Sequence, residues 1–90
     1  MNKARRNTLS KVQTRLEELA ALASEIRELI EAARDEEQEY RDNMPESFAD
    51  GEKGEAADNA IAAMEEAMSV LETIEGEATE ASEHLDTAAA

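Results

Sequence analysis

Four groups of side chains in this ninety-residue chain are of types that can do chemistry. His84 is the single histidine, with Glu80 one helical turn before it. An imidazole beside a carboxylate is half of a nucleophile-activating relay or half of a metal site, but the other half is missing. With no cysteine and no second histidine, a catalytic triad, a two-histidine metal site and the paired Glu-x-x-His motifs of a di-iron bundle cannot be assembled. An exposed Glu80 and His84 pair is the expectation. Asp50, Glu52 and Glu55, interleaved with Gly51 and Gly54, offer oxygen ligands to a hard cation, yet their spacing is not that of an EF-hand loop. The run Gly51 to Gly54 is too short for a phosphate loop and lacks its Ser or Thr. Met44, Met64 and Met68 have the adaptability of a binding surface, but at helical spacing they read as core filling. No cofactor and no metal is expected.

The fourth group is carboxylates in number. Asp35, Glu36, Glu37, Glu39, Asp42, Glu46, Asp50, Glu52, Glu55, Asp58, Glu65 and Glu66 share their stretch of chain with only two bases, Arg41 and Lys53. Acid and base catalysis needs a pocket that sets two pKa values apart, and slender helices supply none, so an enzyme is not expected. Dense carboxylates on rigid helices can instead imitate the phosphates of a duplex and occupy the basic groove of a nucleic-acid-binding protein. The residues expected to touch such a partner are Asp35, Glu36, Glu39, Asp42, Glu46, Asp50, Glu52, Glu55 and Asp58. A plainer alternative is a solvated acidic surface that keeps a small protein in solution.

Overall charge narrows the partners further. Nine lysines and arginines against 23 acids give a formal net charge of −14, which disfavours direct contact with nucleic acid or anionic membrane and favours a basic protein surface. Tyr40 and Phe48 are the only aromatic residues, too few for the stacking platforms of a single-strand binder.

Apolar periodicity supplies the elements that position these groups. Leu9, Val12, Leu16, Leu19, Ala23, Ile26, Ile30, Ala33, Tyr40 and Met44 follow one another in steps of three and four, a heptad seam interrupted at Glu37, where a partner for the carboxylate is expected. Pro45 disfavours α geometry at Met44 and should end this helix near Asn43. Turn formers Pro45, Ser47, Asp50, Gly51 and Gly54 crowd the next stretch, with Phe48 placed to plug the end of the seam. A second stripe then runs through Ala57, Ile61, Met64, Met68, Leu71, Ile74, Ala78, Ala81, Leu85 and Ala88. Its two successive three-residue steps and Gly76 make the stretch after Gly76 the expected place for bending or fraying. Asn2, Ser10 and Thr14 are the available start signals for the first helix.

These elements compose an all-α chain, an antiparallel two-helix hairpin with helix one over about 5–43, an acidic turn over about 44–54 and helix two over about 55–87. Residues 1 to 16 carry five bases and no acid, whereas the far end of helix two carries Glu72, Glu75, Glu77, Glu80, Glu83 and Asp86, so opposed helices set complementary charge side by side. The basic start has the composition of an organelle transit peptide, but the seam begins inside it at Leu9, so it is read as helix.

Both helices carry more apolar surface than one neighbour covers. Ala20, Leu22 and Leu29 flank the first seam and Ala60, Ala63, Ala67 and Val70 the second, which predicts a homodimer forming a four-helix bundle. No run reaches the twenty or so apolar residues of a membrane span, and absence of cysteine suits a reducing cytoplasm.

One local stretch carries a resemblance. The segment from Arg34 to Phe48, Arg-Asp-Glu-Glu-Gln-Glu-Tyr-Arg-Asp-Asn-Met-Pro-Glu-Ser-Phe, followed by Gly54-Glu55 and an alanine-rich acidic helix, resembles small hairpin proteins carried by bacteriophages and other bacterial mobile elements. The resemblance covers the turn and its flanks. It implies a phage context, in which short acidic proteins serve as inhibitors of host defence nucleases, anti-CRISPR proteins and duplex mimics among them. The expected function is therefore a non-catalytic acidic inhibitor engaging a basic host protein, with a structural coiled-coil component of a larger assembly as the alternative.

Overall fold

A computed structural model describes residues 1–90 and is all-helical. Helix α1 spans Lys3–Asp42, α2 is one turn over Glu46–Ala49, and α3 spans Glu52–Ala89. The two long helices pack against each other to give an elongated body of 69 × 14 × 12 Å. Its radius of gyration is 20.1 Å, against about 12 Å for a compact domain of this length.

Alanine, leucine, glutamate and arginine dominate α1 and favour helix at every turn. The start lies slightly earlier than residue 5, because the Asn2 side chain accepts a hydrogen bond from the Arg5 amide at 2.8 Å and caps the first turn. Ser10 and Thr14 lie inside the helix, where Thr14 Oγ1 donates back to the Ser10 carbonyl. Asn43 ends α1 with its amide bonded to Glu39 O, and the chain then passes Met44 into Pro45. Part of the expected turn is thus the helical turn α2, and α3 begins at Glu52, three residues ahead of expectation. Gly54 explains the early start: it is buried where α3 crosses α2, and a Cβ there would overlap the Ala49 backbone. Only glycine lets these backbones approach so closely. At Gly76 α3 continues without a break, because Ile74, Ala78, Ala81 and Leu85 remain turned toward α1 on either side of it.

Cross-helix contacts fix the register. Gln13 Nε2 donates to Ser82 O and Asp86 Oδ1, Arg27 faces Glu75 at 4.0 Å, Arg34 faces Glu65 at 3.9 Å, and Arg41 Nε donates to Asp58 Oδ1 at 2.9 Å. Partners on α3 fall in number as those on α1 rise.

The face that α1 turns to α3 differs from the expected seam. Leu9, Leu16, Ala23, Ile30 and Met44 are on it, but between them stand Gln13, Ala20, Arg27, Arg34 and Arg41, while Val12, Leu19, Ile26 and Tyr40 are 38–52% exposed. In the seven-residue repeat that begins at Leu9, the first and fifth positions are inside and the fourth is outside. The cause is the set of polar side chains just named, whose hydrogen bonds and ion pairs to α3 rotate the helix toward them. Ala20 and Ala23 then admit α3 closely. Ala20, expected beside the seam, belongs to it.

The shared interior is thin. Ala23, Gly54, Ala57, Ile61 and Ala78 are the buried residues, and no large side chain is fully enclosed. Accessible surface totals 6487 Å², against about 5,200 Å² for a globular monomer of 9.9 kDa. No helix is long and apolar enough to cross a membrane.

Candidate functional site

Three devices build the acidic end. Pro45 turns the chain out of α1, the Gly54 contact seats α2 on α3, and Arg41 ties the last turn of α1 to the first turns of α3 by donating from Nε and Nη2 to the two Asp58 oxygens, at 2.9 and 3.4 Å. The hydrogen bond to Asp58 raises the Arg41 pKa above its ordinary value, and the charges of Asp58, Asp50 and Asp42 add to it. Arg34 bridges Asp35 on its own helix and Glu65 on α3.

Every one of the nine carboxylates expected to face a partner, Asp35, Glu36, Glu39, Asp42, Glu46, Asp50, Glu52, Glu55 and Asp58, is exposed. Asp35 and Asp58 are engaged in ion pairs, and Asp42 accepts a hydrogen bond from Gln38 at 2.9 Å. The remaining six join no ion pair. Glu46 falls in the first turn of α2, and Glu52 and Glu55 in that of α3, where the helix dipole favours negative charge. Glu37 lies on the seam, half-buried, and no base pairs with it.

Two of the nine, Glu36 and Glu39, come together on the rim of an open groove of about 540 Å³ walled by Tyr40, Met44, Pro45 and Phe48. Phe48 does not plug the seam as expected. It is 47% exposed, and the Lys53 ammonium lies 4.7 Å from its ring centroid, a cation–π contact that holds the ring outward. Tyr40 is likewise 52% exposed. Tyr40 is turned out because Arg41, one residue beyond it, takes the side of that turn that faces Asp58 on α3.

Elsewhere the chemistry is sparse. His84 and Glu80 form a surface pair at 3.7 Å with both side chains more than two-thirds exposed. No cluster of three potential metal ligands exists. The one buried side-chain polar atom without a hydrogen-bond partner is Arg27 Nε, inside the seam. What the acidic end can do with this geometry is present fixed, hydrated negative charge around two accessible aromatic rings.

No protein-family profile matches the chain, and no curated protein and no solved structure gives a significant match.

Proposed function

We propose that this chain is a non-catalytic helical hairpin that acts in the cytoplasm as a homodimeric binding protein, its acidic turn engaging a basic surface of a host protein. The single observation that carries the reading is the state of the turn carboxylates. Of the twelve acids between Asp35 and Glu66, only Asp35, Asp58 and Glu65 are in ion pairs, and those of Asp58 and Glu65 fasten the two long helices together. Apart from half-buried Glu37, the others stand in water at one end of a narrow rod, where their potentials add and steer a cationic partner. A nucleic-acid-binding protein is the natural target, because its groove already complements closely spaced anions. The phage-type resemblance of the Arg34 to Phe48 segment agrees with an inhibitor of host defence.

The test is a pull-down from bacterial lysate at low and high salt, repeated with Glu39→Lys, Asp42→Lys and Glu46→Lys combined. Electrostatic capture requires that the recovered partner be lost in high salt and lost to the reversed variant at low salt. A partner retained under both conditions sinks the acidic-tip mechanism.

One observation favours a second reading, a structural component of a larger helical assembly. Val12, Leu19, Leu22, Ile26 and Leu29 leave an apolar stripe open along α1. In that case reversing the tip charges changes nothing, and polar substitutions along the stripe abolish assembly.

A further inference from the structure

The uncovered stripe is specific enough to name its occupant. On α1 the fourth positions of the repeat, Val12, Leu19, Ile26 and Tyr40, and the seventh positions Leu22 and Leu29 are all exposed, Leu29 by 67%. On α3 the equivalent positions, in the repeat that begins at Ala57, are Ala60, Ala67, Ile74 and Ala81 with Ala63 and Val70, the last 58% exposed. The two sets share one side of the molecule. Gln13, Arg27, Arg34 and Arg41 reach Ser82, Glu75, Glu65 and Asp58 across one flank of the α1 and α3 pair, so the positions on the other flank of each helix lie together. The body is a slab, polar and ion-paired on one broad side and mostly apolar on the other, where Arg15 and Glu36 of α1 and Glu77 and His84 of α3 take the remaining seventh positions.

The large side chains of that side leave about 600 Å² per copy uncovered, the upper end of what a monomer exposes as one patch. Two such faces meeting bury on the order of 1,200 Å², within the range of specific interfaces.

We infer that the occupant is a second copy of this chain laid antiparallel, with Ile26 of α1 and Ile74 of α3 at the two-fold axis. Resting on the homodimer reading above, this adds the face, the direction and the register. A two-fold through Ile26 sets Val12 against the partner copy's Tyr40, Leu19 against its Ala33, and Leu22 against its Leu29. Each of these pairs is apolar on both sides, and large meets small at Leu19. The same operation brings Arg15 to the partner copy's Glu36, the only charged seventh-position residues of α1 between Val12 and Tyr40. On α3 it sets Ala67 against Ala81, with Val70 facing Glu77 as the one large apolar side chain that meets a charge. This is the self-complementarity that an isologous interface demands. Charge selects the direction as well. Parallel copies put both acidic turns side by side, whereas antiparallel copies hold them at opposite ends of the 69 Å body and lay each beside the partner's other end, where the five bases of residues 1–16 offset the acids at the end of α3. The dimer is thereby bivalent, with one acidic turn at each end.

Cysteine cross-linking tests this on the full-length chain, which has no cysteine of its own. Mild oxidation of Ile26→Cys at micromolar concentration gives a covalent dimer. Leu19→Cys alone does not, and Leu19→Cys mixed with Ala33→Cys does. Arg15→Glu weakens the dimer about tenfold in Kd, and adding Glu36→Arg restores it. A dimeric mass by sedimentation without the Ile26→Cys cross-link overturns the register while sparing the dimer. A strictly monomeric mass at 100 µM or so overturns both, and neither result bears on capture by the acidic turn.

Discussion

Gly54 and Gly76 are both helical, and alanine at the two positions drives stability in opposite directions. Alanine within a helix gains up to about 1 kcal/mol over glycine, because the unfolded glycine chain has more freedom to lose. At Gly76 an added Cβ meets nothing within 4 Å, so Gly76→Ala keeps that gain, about 0.5–1 kcal/mol, and raises Tm by several degrees. At Gly54 the same methyl overlaps the Ala49 carbonyl oxygen and comes within 2.7 Å of its carbonyl carbon. Those are backbone atoms at the end of α2, which cannot rotate aside as a side chain would. Either α2 lifts from α3 or the helix bends, and overpacking of this kind costs about 1–3 kcal/mol. Set against the helix gain, Gly54→Ala should lose roughly 1–2 kcal/mol. Urea titration followed by circular dichroism measures both variants, at matched protein concentration because association contributes to stability. Equal stabilisation by the two substitutions would refute the seating of α2 on α3 and, with it, the placement of the carboxylates around the turn.

Reversing Glu39, Asp42 and Glu46 to lysine should weaken capture of a basic partner at least tenfold, about 1.4 kcal/mol, at low salt, with the helical signal unchanged; titration calorimetry against the recovered partner reads this. Phe48→Ala should cost less than about 1.5 kcal/mol, where a core phenylalanine costs about 3–5, and thermal melts decide between an exposed ring and a plug. Replacing Arg27 and Glu75 together by leucine should be neutral or stabilising by about 1 kcal/mol, since it removes the orphaned Arg27 Nε along with a long ion pair; a marked fall in Tm would contradict that.

Much of the fold could be read directly from the residues. The seven-residue spacing of Leu9, Leu16, Ala23 and Ile30 and the three-and-four spacing of Ala57, Ile61, Met64 and Met68 mark two helices, and Pro45 marks where the first must stop. Which side of α1 faces α3 was not legible. Periodicity weighs Val12, Leu19 and Ile26 as seam because they are apolar, yet the helix turns toward Gln13, Arg27, Arg34 and Arg41, whose long side chains cover apolar surface with their stems and pair at their tips. A hydropathy pattern has no way to rank those two faces without the acids of α3 in place. The same rotation exposes Tyr40 and leaves Ala20 inside. Phe48 was misread for a related reason, since Lys53 over its ring is a contact between α2 and α3 that spacing alone does not show. The exposed carboxylates needed no structure to find, because charge at such density has nowhere to be buried. The roles of Asp58 and Glu65 as ties between elements did need one.

Spin labels at Ser47→Cys measure the arrangement of two copies most directly, since Ser47 is exposed at the turn end of each. With the two-fold at Ile26 and a helical rise of 1.5 Å per residue, the pulsed electron–electron distance should be on the order of 60 Å. A distance below about 30 Å, within roughly one slab's width of side-by-side turns, would mean parallel copies with their acidic ends together and would contradict the account.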